Sequence, residues 1–465
     1  LETLEYLFGT EIKKLKDDGV DLILFTDCGT AAIEEIAYGK SLGLEIVIMD
    51  HHKQDHELPD AIVVNPNRKD EELGPPVAGR EDYPKFYYLC AAGLAFLTCT
   101  AIRRVLRERG HYKDMGIEEY DIRTLLGLAA LGTVADVMDL VGFNRQLVKC
   151  GIPRMMDIVG LDALGFLWEL PEEKWDVSTC GFKFGPCLNA GGRIDDAMLA
   201  TKLLILGEDE QDEALSIATH LFETNRQRQE IQKRMEASAM EQAETSKTDN
   251  IAVVYGEDWH SGVVGIVASK IQRSYDVAAV VIGAGGKGSC RSFKGYDVGA
   301  SIQKAVHEGL LVAGGGHEMA AGLTIDPAKL DEFRGFMQKE ADGYGREATR
   351  SDLTLECGDI TLEEIEGFRA LAPFGVGNPK VTVTLTNCFV SSVGRVGADG
   401  NTIKGKLSGK KGDIEFIMFG AAGTDIGKAL ISSEGMQIDV LGELSINEFR
   451  GRKSIQIIPS DIRLK

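Results

Sequence analysis

The chain has 465 residues, 44% of them hydrophobic, enough for sizeable cores in about two to four domains. No apolar run approaches the roughly 18 residues of a membrane span and no signal peptide is visible, so composition excludes a helical membrane protein. The net charge of −21 argues by itself against a nucleic-acid partner, but the charge is uneven: residues 381–465 carry 11 Lys and Arg against 9 Asp and Glu, and the rest 40 against 63.

In chain order, Asp21-Leu22-Ile23-Leu24-Phe25-Thr26 reads as a buried strand that stops at Asp27-Cys28-Gly29. A helix pattern follows to about Leu42, then a strand from Glu45 to Met49 and a shorter one at Ala61-Ile62-Val63-Val64. Strand-helix-strand alternation with apolar strands predicts a parallel sheet. Asn65-Pro66-Asn67 and Leu73-Gly74-Pro75-Pro76 read as turns, and helices are expected at about 86–109 and 121–135. A long helix fills 206–248, apolar on the face of Ala214, Ile217, Ala218, Leu221 and Phe222 and then mostly charged, a pattern suited to a connector. Residues 249–349 begin a second α/β unit, with strands at Ile251–Tyr255 and Val277–Ile282 and a helix opening at Gly262. About five short β-rich runs between Val381 and Ile458 suggest a small barrel, with an OB-fold as leading candidate.

The chemistry concentrates where strands end. Ile46-Val47-Ile48-Met49 runs into Asp50-His51-His52, an acid and two imidazoles at the rim of a parallel sheet. Asp27 ends the preceding strand, and Asp136 ends the apolar run from Ala129. Singly, Asp27 reads equally well as a helix N-cap and His51 as a hydrogen-bonded loop residue, whereas Asp136 reads less readily as a helix-terminal acid, since a charge ending an apolar run is costly unless paired or metal-bound. Together, two carboxylates and an imidazole suit Mn²⁺ or Mg²⁺ better than a thiolate zinc site. Asn144-Arg145 offers a phosphate donor or a surface turn. Gly185 to Arg193, containing Asn189, reads as a tight glycine-rich loop suited to phosphate; Gly288-Ser289-Cys290-Arg291-Ser292 repeats that logic, and the amides of Gly314-Gly315-Gly316-His317 are placed to cradle an anion. Structural turns remain open for each. The nine Cys form no CxxC pair, and Cys28, Cys90 and Cys99 read as reduced core thiols of a cytosolic protein.

Asp50-His51-His52, with Asp27-Cys28-Gly29 before it and Gly132-Thr133-Val134-Ala135-Asp136 after it, resembles the DHH phosphoesterase superfamily. The run Trp259 to Ala268, Gly288 to Ser292 and Gly314 to His317 resemble its DHHA1 domain. Leu188-Asn189-Ala190-Gly191-Gly192-Arg193, Pro373-Phe374-Gly375-Val376-Gly377-Asn378-Pro379 and the terminal β-rich region narrow the resemblance to the RecJ family of single-strand-specific 5′→3′ DNA exonucleases. It implies an α/β chain with a DHH parallel-sheet domain (1–205), a connecting helix (206–248), a DHHA1 α/β domain (249–349) and a C-terminal OB-like β-barrel (350–465). By the same resemblance Asp27 bridges two Mn²⁺ or Mg²⁺ ions, His51 and Asp136 complete one ion's shell, and His52 faces the scissile phosphate. Asn189, Arg193, Ser289, Arg291 and His317 would bind substrate, and Phe449, Arg450, Arg452 and Lys453 would help the barrel grip the strand. Single-stranded DNA, a single-strand-binding protein and a helicase are the implied partners, in the cytoplasm, in DNA repair and recombination. The family's upstream Asp-x-Asp strand is missing, so the chain as given is expected to be inactive or weak, with an exposed apolar sheet edge. Two other readings stay open: a phosphodiesterase for short oligonucleotides or cyclic dinucleotides, and a catalytically incomplete DNA-binding fragment.

Overall fold

A computed structural model describes residues 2–54, 57–74, 84–344, 350–398, 400–449 and 451–465; the side chains of residues 2–9 and 449 lie outside the description, as do Pro75, Pro76 and Arg450. The chain divides into two compact units, Leu1–Arg234 with Gly375–Asn378, and Met235–Phe374 with Pro379–Lys465.

The first unit opens with helix α1 (Glu2–Asp17), strand β1 (Leu22–Thr26), helix α2 (Ile33–Ser41) and strands β2 (Glu45–Met49) and β3 (Ile62–Val64). The three strands form a parallel sheet in the order β1-β2-β3. Register matters for function: Thr26 lies opposite Met49, and Met49 opposite Val64. All three strands therefore end at one level, and Asp27, Asp50-His51-His52 and Asn65 emerge from the same edge. The β-branched runs pack inward through Phe25, Ile46, Ile48 and Val63 against Ile36 of α2 and Ile12 of α1. β1 is not the buried strand its composition suggests. It is an edge strand, and Leu22 and Leu24 remain 55% and 52% exposed.

Helices α3 (Ala91–Glu108), α4 (Leu126–Ala135) and α5 (Gly142–Gly151) follow. α3 begins five residues later than expected, and a 3-10 turn at Ile122–Leu125 precedes α4. α3 and α4 meet at small residues: a Cβ on Gly132 would lie 2.5 Å from that of Ala92. Gly132 thereby lets Asp136, just beyond α4, approach the sheet edge. An exposed helical Gly→Ala change is ordinarily stabilising by about 1 kcal/mol. Gly132→Ala is expected to reverse that sign and cost about 1–3 kcal/mol through overpacking, read as a lower urea midpoint.

Residues 185–194 are helix α6 (Gly185–Ile194), not the glycine-rich loop read from sequence. Its glycines permit close approach: a Cβ on Gly191 would sit 2.5 Å from the Asp196 carbonyl. Helix α7 (Gln211–Ser246) packs Ala214, Ala218 and Leu221 into the same core as Cys187 and Leu203. The Gly375–Asn378 loop belongs to this unit. Its Val376 carbonyl accepts from Leu140 N–H (2.7 Å), and a Cβ on Gly375 would come within 2.7 Å of Leu140 Cδ1.

The second unit holds β4 (Ile251–Tyr255), α8 (Val264–Tyr275), β5 (Ala278–Ile282), β6 (Lys287–Arg291), α9 (Val298–His307), β7 (Ala313–His317) and β8 (Ala320–Thr324). The sheet order is β4-β5-β6-β8-β7, parallel only at β4–β5. Gly314-Gly315-Gly316 is thus edge-strand backbone and not a loop, and a Cβ on Gly314 would meet Ile302 of α9 at 2.6 Å. Five later strands, β10 (Thr382–Val396), β11 (Thr402–Ser408), β12 (Asp413–Met418), β13 (Gln437–Phe449) and β14 (Arg452–Leu464), close into a barrel through the β10–β11 pairing. β9 (Leu353–Glu356), unforeseen from sequence, adds in parallel to β10.

All nine cysteines are free thiols; Cys90 is buried, Cys28 half-buried, and Cys99 is exposed on α3 rather than in the core. No helix among the described residues is long and apolar enough to cross a membrane.

Candidate metal centre and phosphate contacts

Asp27 leaves β1 with φ at 64°, left-handed backbone that Asp tolerates better than most side chains. Its N–H donates to the Met49 carbonyl (2.9 Å), and Gly29 follows at φ 110°, where a Cβ would press on Ile48 and Phe25. The turn therefore points the Asp27 carboxylate outward. Asp27 caps nothing: the N-cap of α2 is Ala32.

The Asp27 carboxylate meets His51. His51 Nε2 lies 3.1 Å from Asp27 Oδ1 and 3.4 Å from Asp136 Oδ2. The His51 side chain is 12% exposed, whereas the two carboxylates face solvent. One ligand atom each from Asp27, His51 and His52 lies within 4.8 Å of the others, the one such group among the described residues. Asp136 is the C-cap of α4, where carbonyl dipoles already present negative charge. Burial raises its pKa; the charge of His51 opposes this and that of Asp27 adds to it. A cation between these groups would relieve both the helix end and the paired acids.

Asp50 is 1% exposed and supports the loop from beneath. Its Oδ1 accepts from His51 N–H (2.7 Å), His52 N–H (3.2 Å) and His52 Nδ1 (2.7 Å), and Oδ2 accepts from Thr30 N–H (3.0 Å). Burial pushes the Asp50 carboxyl up, but the bonds from His52 and Thr30 outweigh it and hold it well below the usual carboxylate range. The Asp50 bond in turn raises the His52 pKa against burial. With Nδ1 committed, His52 presents Nε2 outward.

Sequence reading missed a second tier. Asn65 Nδ2 donates to Thr30 Oγ1 (2.9 Å) and the His52 carbonyl (2.8 Å), and Asn67 Nδ2 donates to the His51 carbonyl (2.6 Å). The available signal was the paired Asn flanking Pro66, one strand after the histidines. Asn144 is the opposite case. It is fully buried in α5 and donates to the carbonyls of Tyr88 and Asp139, so it braces backbone and meets no phosphate.

A cavity of about 220 Å³ at the centre is lined by Asp27, Asp136, Asn189, Cys90, Gly132 and three alanines. Asn189 therefore joins the carboxylates, and exposed Arg193 follows one turn later on α6. Burial pushes the Cys90 thiol up, which keeps it protonated. The usable donors are then carboxylate oxygens and imidazole nitrogens, a set that fits Mn²⁺ or Mg²⁺.

In the second unit, Arg291 Nη1 donates to Ser289 Oγ (3.0 Å) and the Cys290 carbonyl (2.7 Å). A Cβ on Gly265 would lie 3.1 Å from Ser289 Oγ and 3.2 Å from Arg291 Nη2, so both side chains sit over the first turn of α8. A guanidinium beside the positive end of a helix makes an anion-seeking corner. His317 ends β7, exposed, its Nδ1 accepting from Met319 N–H (3.4 Å). On the barrel, Arg452 is exposed, but Lys453 pairs with Glu366 (2.9 Å). Lys404, Lys406 and Lys465 are likewise paired with Glu415, Asp413 and Asp439. Phe389 and Phe419 are its exposed aromatic rings among the described residues, and Arg450 and the Phe449 side chain lie outside them.

Three family models match: the DHH family N-terminal domain over residues 2–133, the DHHA1 domain over 248–342 and the RecJ OB domain over 351–461. The single-stranded-DNA-specific exonuclease RecJ of Bacillus subtilis strain 168 is 32% identical over 97% of this chain and 55% of its own length. Its namesake in Escherichia coli K12 is 30% identical over 96% of this chain and 77% of its own length. The crystal structure of RecJ in complex with Mn²⁺ from Thermus thermophilus superposes with a TM-score of 0.75 at 25% identity, over 98% of this chain and 64% of that one. The chain thus spans about half of the Bacillus relative and about three quarters of the Escherichia one. It belongs to the RecJ family, as its length-wide identity and its three successive domain matches establish.

Proposed function

We propose that this chain carries a metal-dependent 5′→3′ exonuclease activity that hydrolyses phosphodiester bonds of single-stranded DNA, in DNA repair and recombination, and that this activity is weak with the one cation site its described donors make. The observation that carries the reading is His51 Nε2 set between Asp27 and Asp136 at the ends of a parallel sheet and a helix. Asp27, His51 and Asp136 would hold Mn²⁺ or Mg²⁺, as the Thermus RecJ structure was obtained with Mn²⁺. When bound, such a cation lowers the pKa of water and offsets charge on a phosphoryl oxygen. Asp50 fixes the His52 ring, and His52 Nε2 donates to a phosphate oxygen of the strand. Asn189 and Arg193 bind the strand beside this centre. Ser289 and Arg291, over the first turn of α8, take a backbone or terminal phosphate. His317 binds the strand as well, and the barrel holds it by stacking bases on Phe389 and Phe419. Nine unpaired thiols support a reducing cytoplasmic setting. A single-strand-binding protein and a helicase are the partners such an activity calls for.

A 3′-labelled single-stranded oligonucleotide should shorten slowly from its 5′ end with Mn²⁺ and protein in excess and not with EDTA, and a duplex of the same sequence should persist. Equal cleavage of the duplex, or cleavage of dinucleotides alone, overturns the reading. The described donors make one cation site. Calorimetric titration with Mn²⁺ should give about one tight site per chain, the number a single such donor cluster supports; two tight sites would contradict that assignment.

A further inference from the structure

Arg228 is buried without an acid. It lies on α7, 6% exposed, and its Nε and Nη1 donate to Asn225 Oδ1 (3.1 Å) and Gln232 Oε1 (2.8 Å). Both partners are neutral amides of its own helix, so these bonds tie α7 to nothing else. No carboxylate pairs with Arg228 among the described residues. The acid nearest in pattern is already spent: His220 and Thr224, two turns and one turn earlier on the same stripe, reach Asp195 Oδ2 at 2.6 and 3.5 Å. Burial, and then the positive charge of nearby Arg193, lower the Arg228 pKa from its ordinary value.

Burying an uncompensated charge is costly, and bonds between neighbours on one helix return only a small part of that cost. A bound anion would offset that cost. The position borders the helix that lines the metal-site cavity. Asn225, one turn before Arg228, contacts Cys187 Sγ on α6 (3.5 Å), and α6 also carries Asn189 of the cavity and Arg193.

We propose that Arg228 is the inner donor of a phosphate subsite, with Arg193 as the outer one, holding a phosphodiester of the single strand away from the bond that is cut. Arg228 Nη2 lies outside both amide bonds and would donate to the phosphate. The inference rests on the single-strand reading above and adds a residue to it.

The test is binding of a dT oligonucleotide to the full chain in EDTA across a salt series. Arg228→Gln should make the slope of log K against log salt shallower by about 0.7, and weaken binding about fivefold at roughly 0.1 M salt, as expected for one lost single-strand phosphate contact. Its melting temperature should hold or rise, because an unpaired buried charge has been removed. A lower melting temperature with an unchanged slope would make Arg228 structural and overturn the proposal. If the Gln variant does not fold, Arg228→Lys decides: a retained slope with several-fold weaker binding supports the contact, and unchanged affinity overturns it. If wild type does not bind the oligonucleotide, the single-strand reading fails and this inference falls with it. If wild type binds and Arg228→Gln matches it, only this inference falls.

Discussion

Asp136→Asn should lower hydrolysis of a single-stranded oligonucleotide about a thousandfold, equivalent to about 4 kcal/mol of lost transition-state stabilisation. The same change should not destabilise the fold. The carboxylate sits at the negative end of α4, and burial together with the charge of Asp27 disfavours its ionised form. Neutralising it removes a helix-end repulsion of about 0.3–1 kcal/mol. A residue placed against its local electrostatics is explained by the cation it would hold. Single-turnover cleavage with protein in excess reads the rate, urea unfolding reads the stability, and dT binding in EDTA should stay within about threefold of wild type, since phosphate contacts supply that affinity. Unchanged cleavage, or a loss of rate that follows a loss of stability, would remove Asp136 from the centre.

The centre was legible because strand ends are. β2 begins and ends at the residues its apolar run predicted, and a strand of that kind can deliver Asp50-His51-His52 only at its rim. The OB-like barrel was legible for a similar reason, since short alternating runs between polar turns have few other packings. Glycine was where sequence reading failed. Gly185 to Gly192 and Gly314 to Gly316 looked like loops, yet they form a helix and a strand, because the missing Cβ atoms admit neighbouring backbone or a crossing helix. The distinction depends on a tertiary contact that no local pattern contains. Asn144 failed on the same ground: an amide beside an Arg looks like a phosphate donor until its burial beneath Tyr88 is known. Lys453 shows the limit of counting charge, for its partner Glu366 lies 87 residues away.

Asp50→Ala is the second large effect expected, on stability and activity together. Asp50 accepts from three backbone N–H groups and one imidazole, and the loop it supports is also tied through Thr30, Asn65 and Asn67. Alanine leaves those donors without their acceptor. At about 1–3 kcal/mol for each donor that water cannot reach, and with His52 largely exposed, the cost should be about 2–4 kcal/mol. Loss of the His52 orientation and of the His51 backbone anchor should reduce metal affinity or hydrolysis about 10- to 100-fold. Asp50→Asn should be milder in stability, because Oδ1 can still accept while its amide opposes the Thr30 N–H. The pH dependence follows from the depressed Asp50 pKa. The carboxylate's contribution is complete above the unfolded value of about 4 and is lost as pH falls toward the folded one. The stability gap between wild type and Asp50→Asn should therefore be widest near neutral pH and narrow below about pH 4, in urea unfolding at constant ionic strength. A gap that stays constant through that range would show that the Asp50 charge does not hold the histidine loop.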